Sequence, residues 1–290
     1  MGAPPAITEL LARSATWLKE KGSSSSRLDA ELLLAEVLGM NRVELYVNFE
    51  QPLNRAEVDH YRELIRRRGE GEPVAYILGR GFFRNHEFKL DSSVLIPRPE
   101  TEHVVDAALD ILMEGDWQAS PTVLDLGTGS GAIAISLAAG FPDAGITATD
   151  ASQEALDLAR QNADAAGVGL RTRFVLSDMF EDLDPVATFD LIVSNPPYIS
   201  KDEWVVLPRD VREYEPRGAL YGGEDGLDFY RVIARQAPQF LKPRGGLVLE
   251  IGATQGMAVT KLLAETGKFR AAGVMKDYAE MDRIVVAQRI

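Results

Sequence analysis

The chain has 290 residues and no cysteine. That excludes disulfides and thiolate-held metals outright. Histidine is scarce as well: His60, His86 and His103 lie too far apart to read as a zinc cluster, and no metal is expected. There is no apolar run long enough to cross a bilayer. Pro4 and Pro5 precede an amphipathic pattern where a secretory signal would need a charged start and an apolar stretch. A cytoplasmic protein with no membrane association is the expectation. Positive charge is the last shortage: 31 Lys and Arg stand against 44 Asp and Glu, a net charge of −13. Such a chain repels phosphate backbones, which argues against direct nucleic-acid binding. Hydrophobic residues make up 46%, enough for a packed core. The length suggests two domains, or one large domain with an extension.

The most informative stretch is Asn195-Pro196-Pro197-Tyr198, which comes directly after the apolar run Phe189-Asp190-Leu191-Ile192-Val193-Ser194. The run reads as a buried strand. Two prolines carry no N–H and cannot extend a sheet ladder, so the strand ends at Asn195. Past that point the backbone is stiff and its carbonyls are free to face a ligand. Asn195 adds a side-chain acceptor and two donors, and Tyr198 a flat face. Carbonyl acceptors beside an aromatic plane suit a planar NH2 group, an amide or a base amine. A plain proline-rich loop is the alternative.

Upstream, the pattern from Ile7 to about Gly71 is helical. Ser26 and Asp29 resemble a capping box ahead of an apolar run. In that run Leu28, Leu32, Ala35 and Leu38 share a face widened by Leu33, Leu34 and Val37, and Gly39 is a plausible stop. Arg66, Arg67 and Arg68 read as a solvated helix end, with phosphate or partner binding as the alternative. Gly69, Gly71 and Pro73 mark a boundary. Around Arg84-Asn85-His86, the alternation at Phe88 and Leu90 fits a hairpin. Pro97 and Pro99 hold Arg98 at a fixed angle, which suggests that it braces a loop; Pro99 can also open a helix through Val104, Val105, Ala108, Leu109 and Leu112.

The remainder alternates strand and helix. Strands are expected at 123–126, 145–149, 171–176, 189–194 and 247–251, with helices at 132–139, 152–165, 227–241 and 255–265, and a terminal hairpin pairing 269–275 with 283–287. Such alternation implies an α/β fold with a mostly parallel sheet, in which ligands bind at the carboxyl ends of the strands. Gly127-Thr128-Gly129-Ser130-Gly131, Asp150, Asp178 with Met179, and Asn195 all fall at those ends. The glycine loop alone is ambiguous. With Ala132 it satisfies a dinucleotide pattern, and Asp150 could hold the ribose of a nicotinamide cofactor or of S-adenosylmethionine alike. Asp178 at the third strand end, the Asn-Pro-Pro-Tyr segment at the fourth and an antiparallel last hairpin favour the second.

Asn195-Pro196-Pro197-Tyr198 together with the glycine loop resembles the class I methyltransferases that act on amide or amine nitrogen. Segments 73–79, 95–102, 215–220 and 222–230, with 28–39 in the helical part, make nearly the whole chain similar to the HemK/PrmC family, the release factor glutamine methyltransferases. The resemblance implies three parts. Residues 1–73 would be a small helical-bundle domain for release factor binding, 74–94 a β-hairpin bridge, and 95–290 a Rossmann-like methyltransferase domain with a seven-stranded, mostly parallel sheet. It implies methyl transfer from S-adenosyl-L-methionine, leaving S-adenosyl-L-homocysteine, to N5 of the glutamine in the Gly-Gly-Gln loop of peptide chain release factors. Gly127, Thr128, Gly129, Ser130, Gly131, Asp150, Asp178, Met179 and Asn195 would hold the cofactor. Asn195, Pro196, Pro197 and Tyr198 would hold the substrate amide, with Asn195, Pro196 and Tyr198 catalytic. Met179 departs from relatives that often carry Trp there; its thioether can still pack on a ring. A monomer without metal is expected. A nucleic-acid base amine, another protein glutamine, a nicotinamide oxidoreductase and a non-catalytic module are the competing readings.

Overall fold

The structure, a computed structural model, describes residues 4–115, 117, 119–270 and 272–290. Five helices come first: α1 (Ile7–Glu20), α2 (Ser26–Leu38), α3 (Arg42–Val47), α4 (Arg55–Gly69) and α5 (Val74–Leu78). A hairpin of β1 (Arg80–Phe83) and β2 (His86–Lys89) succeeds them. Next are α6 (Glu102–Glu114), β3 (Thr122–Leu126), α7 (Ala132–Gly140), β4 (Gly145–Asp150), α8 (Gln153–Ala165), β5 (Thr172–Leu176) and β6 (Phe189–Ser194). The chain ends with α9 (Lys201–Val206), α10 (Arg209–Tyr214), α11 (Asp228–Phe240), β7 (Leu241–Glu250), α12 (Gly256–Glu265), β8 (Gly273–Lys276) and β9 (Asp282–Gln288). Two compact units result: Met1–Arg80 with Pro208–Tyr214, and Gly81–Leu207 with Glu215–Ile290.

The first unit is helical because its apolar residues recur every three or four positions. Ile7, Leu10, Leu11 and Leu18 of α1 close on Ala30, Leu33 and Leu34 of α2 and on Val58, Tyr61 and Ile65 of α4. Asn41 and Asn54 form capping boxes with Glu44 and Glu57. The box expected at Ser26 is absent. Ser26 is already helical, and Asp29 is buried and turned to other partners. It accepts from the hydroxyls of Ser23 and Ser25 and from Arg68 Nε, each at 2.7 Å. Of the face expected on α2, Leu33, Leu34 and Ala35 are buried, together with Ala30, but Leu28 is 40% exposed and Leu32, Val37 and Leu38 are only half-buried. Gly39 ends the helix in the left-handed region, as its position predicted. The arginine run also splits. Arg66 pairs on the surface with Glu63 and Glu70 and Arg67 with Glu72, but Arg68 is buried against Asp29 and also reaches Asp210. It is a core ion pair, not a solvated helix end.

In the second unit the seven strands run β5-β4-β3-β6-β7-β9-β8, parallel except where β9 joins β7 and β8. Successive strands step outward from β3 to β5 and then return to β6 on the other flank of β3. The crevice between β3 and β6 is the topological switch point, where ligands bind in such sheets. Register fixes its floor: Leu126 pairs with Thr149 and with Ser194, and Ser194 pairs with Leu249. The Ser194 hydroxyl locks the edge further, donating to the Leu126 carbonyl at 2.8 Å. Behind the sheet, α6 buries Val104, Val105, Ala108, Leu109 and Leu112 as the pattern predicted, entered through a 3-10 turn at Pro99–Thr101. Strand β7 starts earlier than expected because Leu241 already pairs with Phe189 across a bulge. The expected terminal strand 269–275 includes Ala271, outside the described residues; β8 covers Gly273–Lys276, and Phe269 makes an isolated bridge to Arg289.

Candidate active site

The glycine loop leaves β3 at Leu126 and turns sharply into α7. Gly127, Gly129 and Gly131 all have positive φ, of 70°, 55° and 87°, a region that costs any other L-residue. Their surroundings differ. A Cβ on Gly127 or Gly129 would meet no atom within 4 Å, so the backbone presents an open face there. A Cβ on Gly131 would lie 2.9 Å from Ile135 Cδ1 and 3.3 Å from Ala159 Cβ, so this glycine lets the loop pack against α8. Two carboxylates hold the turn. Asp150 Oδ2 accepts from the Gly129 N–H at 2.8 Å and Oδ1 from the Ser152 N–H at 2.9 Å. Asp125 Oδ2 accepts from the Thr128 hydroxyl at 2.7 Å and the Ala134 N–H at 3.1 Å. Burial pushes Asp125 up to about 7 against those hydrogen bonds, and raises Asp150 too. The Ser130 carbonyl is held by Asn162 Nδ2 at 2.9 Å.

On the other side of the crevice, Asn195 leaves β6 next to Gly127, since the residues before each are paired. Asn195 Nδ2 donates to the Thr101 hydroxyl at 3.0 Å. Among the described residues nothing donates to Asn195 Oδ1 or to the Pro196 carbonyl. Tyr198 donates its hydroxyl to Glu250 Oε1 at 3.3 Å. Burial and the adjoining Glu250 push that phenol well above its ordinary range. The rest of the segment is clamped from behind. Gln255 Nε2 donates to the Tyr198 carbonyl at 3.0 Å, and Ile199 exchanges backbone hydrogen bonds with Leu220 and Gly222 at 2.8 and 2.9 Å. Gly222 and Gly226 come so close to this backbone that a Cβ would strike the Pro197 and Tyr198 carbonyls. Arg98 forms an ion pair with buried Glu215, which also accepts the Ile96 N–H at 3.1 Å, so the brace expected of Arg98 ties 96–98 to the start of 215–220.

The remaining predicted residues lie at the end of β5. The Ser177 N–H donates to the Asp150 carbonyl at 3.0 Å, which keeps Asp178 and Met179 close to Asp150. Asp178 is exposed; Met179, at φ 51°, is half-buried against the core. Both border a cavity of about 220 Å³ with Asp228 and Phe229. The sequence reading missed Thr101, Glu250, Gln255, Asp125 and Glu215. The signal for Glu250 was a carboxylate closing an apolar strand, and for Asp125 one inside a strand; both are wholly or almost wholly buried. Thr101 and Gln255 carried no signal of their own.

Residues 9–79 match the family model described as the PrmC N-terminal domain, and residues 101–207 that of the methyltransferase small domain. The chain is 43% identical over 288 residues to a release factor glutamine methyltransferase from Rhodopirellula baltica, covering 99% of this chain and 97% of the relative. It is 45% identical over 282 residues to a release factor glutamine methyltransferase from Chlorobaculum tepidum, covering 96% and 95%. A crystal structure of a methyltransferase from Pyrococcus furiosus superposes with a TM-score of 0.52 over 71% of this chain and 90% of its own at 17% identity, a likeness of fold.

Proposed function

The chain belongs to the release factor glutamine methyltransferase family, and from that premise we propose that it methylates N5 of the glutamine in the Gly-Gly-Gln loop of peptide chain release factors, with S-adenosyl-L-methionine as donor and S-adenosyl-L-homocysteine as by-product. The observation that carries this reading is the commitment of Asn195 Nδ2 to Thr101, which leaves Asn195 Oδ1 and the Pro196 carbonyl, on consecutive residues, as two acceptors to which nothing donates among the described residues.

A side-chain amide nitrogen is a poor nucleophile because its lone pair is delocalised into the carbonyl. Asn195 Oδ1 and the Pro196 carbonyl accept its two N–H bonds and favour the pyramidal nitrogen that can attack. Tyr198 packs on the amide plane, held by Glu250; its raised pKa keeps it a phenol. Bound S-adenosylmethionine supplies an electrophilic methyl group. Its fit rests on the open face at Gly127 and Gly129 and on Asp150 beside them; Thr128, Ser130, Gly131, Asn195, Asp178 and Met179 would be the other residues that hold it. Positive charge growing on the nitrogen as it takes up the methyl group would be stabilised by the two acceptors. The N–H proton becomes acidic only then and leaves to water. Positioning of this kind can supply several kcal/mol, about 7–11 at the extreme. Residues 1–73 would recognise the release factor, with a monomeric enzyme acting in the cytoplasm without metal.

The test is mass spectrometry of a purified release factor after incubation with the protein and S-adenosylmethionine, with the modified residue located, and with DNA and RNA as parallel acceptors. The expected product is N5-methylglutamine in the Gly-Gly-Gln loop. Asn195→Ala should lower kcat by about 10²–10³-fold while the cofactor Kd stays within about tenfold. Near-normal turnover in that variant removes Asn195 from the reaction, and methyl transfer to nucleic acid in preference to the release factor overturns the function.

A further inference from the structure

An amide presents an acceptor at one end and donors at the other, and only one orientation of Asn195 can receive a substrate N–H. Something must forbid the flipped form, and the Thr101 hydroxyl cannot do so alone, because a hydroxyl both donates and accepts. The group next in line is Glu250. It ends β7, and because Leu249 pairs with Ser194, Glu250 and Asn195 leave neighbouring strands together. Its side chain is 1% exposed. Oε1 accepts from Tyr198 and Oε2 is buried without a hydrogen-bond partner, while Thr101 is among the groups that favour the charged form of Glu250. The Tyr230 hydroxyl holds the Glu250 main-chain carbonyl at 2.8 Å and so fixes the end of the strand.

We propose that Glu250 is a positioning residue for methyl transfer: as a carboxylate, which can only accept, it offers its unpaired Oε2 to the Thr101 hydroxyl hydrogen in the reacting complex, and this obliges Thr101 to accept from Asn195 Nδ2 and turns Asn195 Oδ1 toward the substrate. The same carboxylate orients the Tyr198 hydroxyl through Oε1. The proposal rests on the reading of Asn195 as the amide acceptor. Protonation reverses its logic. A neutral Glu250 can donate to Thr101, which is then free to donate to Asn195 Oδ1, and the flipped carboxamide offers the substrate an NH2 group that cannot accept. Burial is the main influence on Glu250 and lifts it to about 7, opposed by Thr101, Arg283 and Tyr198 and assisted by Glu100. Arg283 is itself engaged by Asp277, at 3.1 Å, and the other ring facing Glu250 is the phenol of Tyr230. The carboxylate, and with it the competent Asn195, prevails above that pH and is lost below it.

The experiment measures single-turnover methylation of a bacterial release factor by the full-length protein from pH 5.5 to 8.5, with the cofactor Kd measured in parallel. The wild-type rate should fall tenfold per pH unit on the acid side of an inflection near 7. Glu250→Gln, whose amide can donate to Thr101, should lose about a hundredfold in rate, the scale of a small misplacement of reacting groups, and should lose the inflection, with cofactor Kd and release factor KM within threefold of wild type. Thr101→Val should behave likewise, Thr101→Ser should restore the rate, and the Thr101→Val/Glu250→Gln pair should be no slower than either single change, since both cut one chain. A wild-type rate and pH profile in Glu250→Gln overturns the proposal. If Glu250→Gln fails to fold, a wild-type rate in Thr101→Val overturns it alone. Failure of the underlying reading looks different, because there the wild type itself leaves the release factor unmethylated.

Discussion

The three glycines of the loop after β3 share one backbone requirement and differ in what surrounds them, so one added methyl group at each separates folding from binding. Gly129→Ala keeps φ at 55°, which costs an L-residue about 1–2 kcal/mol. Its Cβ meets nothing within 4 Å, so no packing penalty is added. For a unit of this size 1 kcal/mol moves Tm by about 2–4 °C, giving a fall of roughly 2–8 °C. The new methyl group occupies the open face on which the cofactor is proposed to lie, and cofactor affinity should drop at least tenfold, or about 1.4 kcal/mol. Gly131→Ala carries the same backbone strain and also drives a methyl group into Ile135 Cδ1 and Ala159 Cβ. Overpacking adds about 1–3 kcal/mol, for a total of roughly 2–5 kcal/mol. Calorimetric unfolding and isothermal titration with S-adenosylmethionine read the two quantities separately. Gly129→Ala should lose more affinity than stability, and Gly131→Ala the reverse. Wild-type affinity in Gly129→Ala would falsify the placement of the cofactor on this face.

Two further changes probe buried charge. Arg68→Ala should destabilise the helical unit by about 3–5 kcal/mol, because it strands Asp29, at 6% side-chain exposure, with only two serine hydroxyls; Arg66→Ala, whose partners are solvated, should cost under 1 kcal/mol in the same urea titration. Equal effects would place Arg68 back at the surface. Asp125 is lifted from near 4 in the unfolded chain to about 7 by burial, so the native state binds its proton more tightly. The stabilisation is complete below about pH 4 and is lost as pH rises to about 7. Asp125→Asn lacks that titration, and its stability relative to wild type should climb across pH 4–7 and level off above. Parallel stability curves for the two proteins would show that Asp125 does not titrate in this window.

The parts of the fold that were legible in the sequence are those governed by local rules. The double proline ended β6 at Ser194 because neither ring can join a ladder, and the helix expected at 152–165 is α8, which Ser152 caps by accepting from the Ala155 N–H. The alternation of strand and helix gave the parallel sheet, and the ends of its strands gave the crevice. The misreadings arose where a distant residue competed for a local one. Asp29 stands three positions after Ser26, the spacing of a capping box, but Arg68, 39 residues on, claims it, and Asp29 is buried on the same helix as Ala30 and Leu33. Arg66, Arg67 and Arg68 are adjacent in sequence yet fall on different sides of a helix that turns about 100° per residue, so one enters the core and the others do not.

The site divides along the same line. The two acceptors proposed for it, on Asn195 and Pro196, are encoded by consecutive residues; the groups that would aim them are not. Thr101 precedes Asn195 by 94 positions, and Glu250 lies 52 positions after Tyr198. Only the register of β6 with β7, and the turn that opens α6, bring them to one crevice. A buried carboxylate at the end of an apolar strand is costly unless it is neutralised or given donors, and Glu250 has one carboxylate oxygen without any. Burial lifts this group to about 7, where a small change in its surroundings reverses whether it accepts or donates. In the proposed chain from Glu250 through Thr101, direction is set by one proton, which would place control of the Asn195 carboxamide on a different strand from the one that carries it.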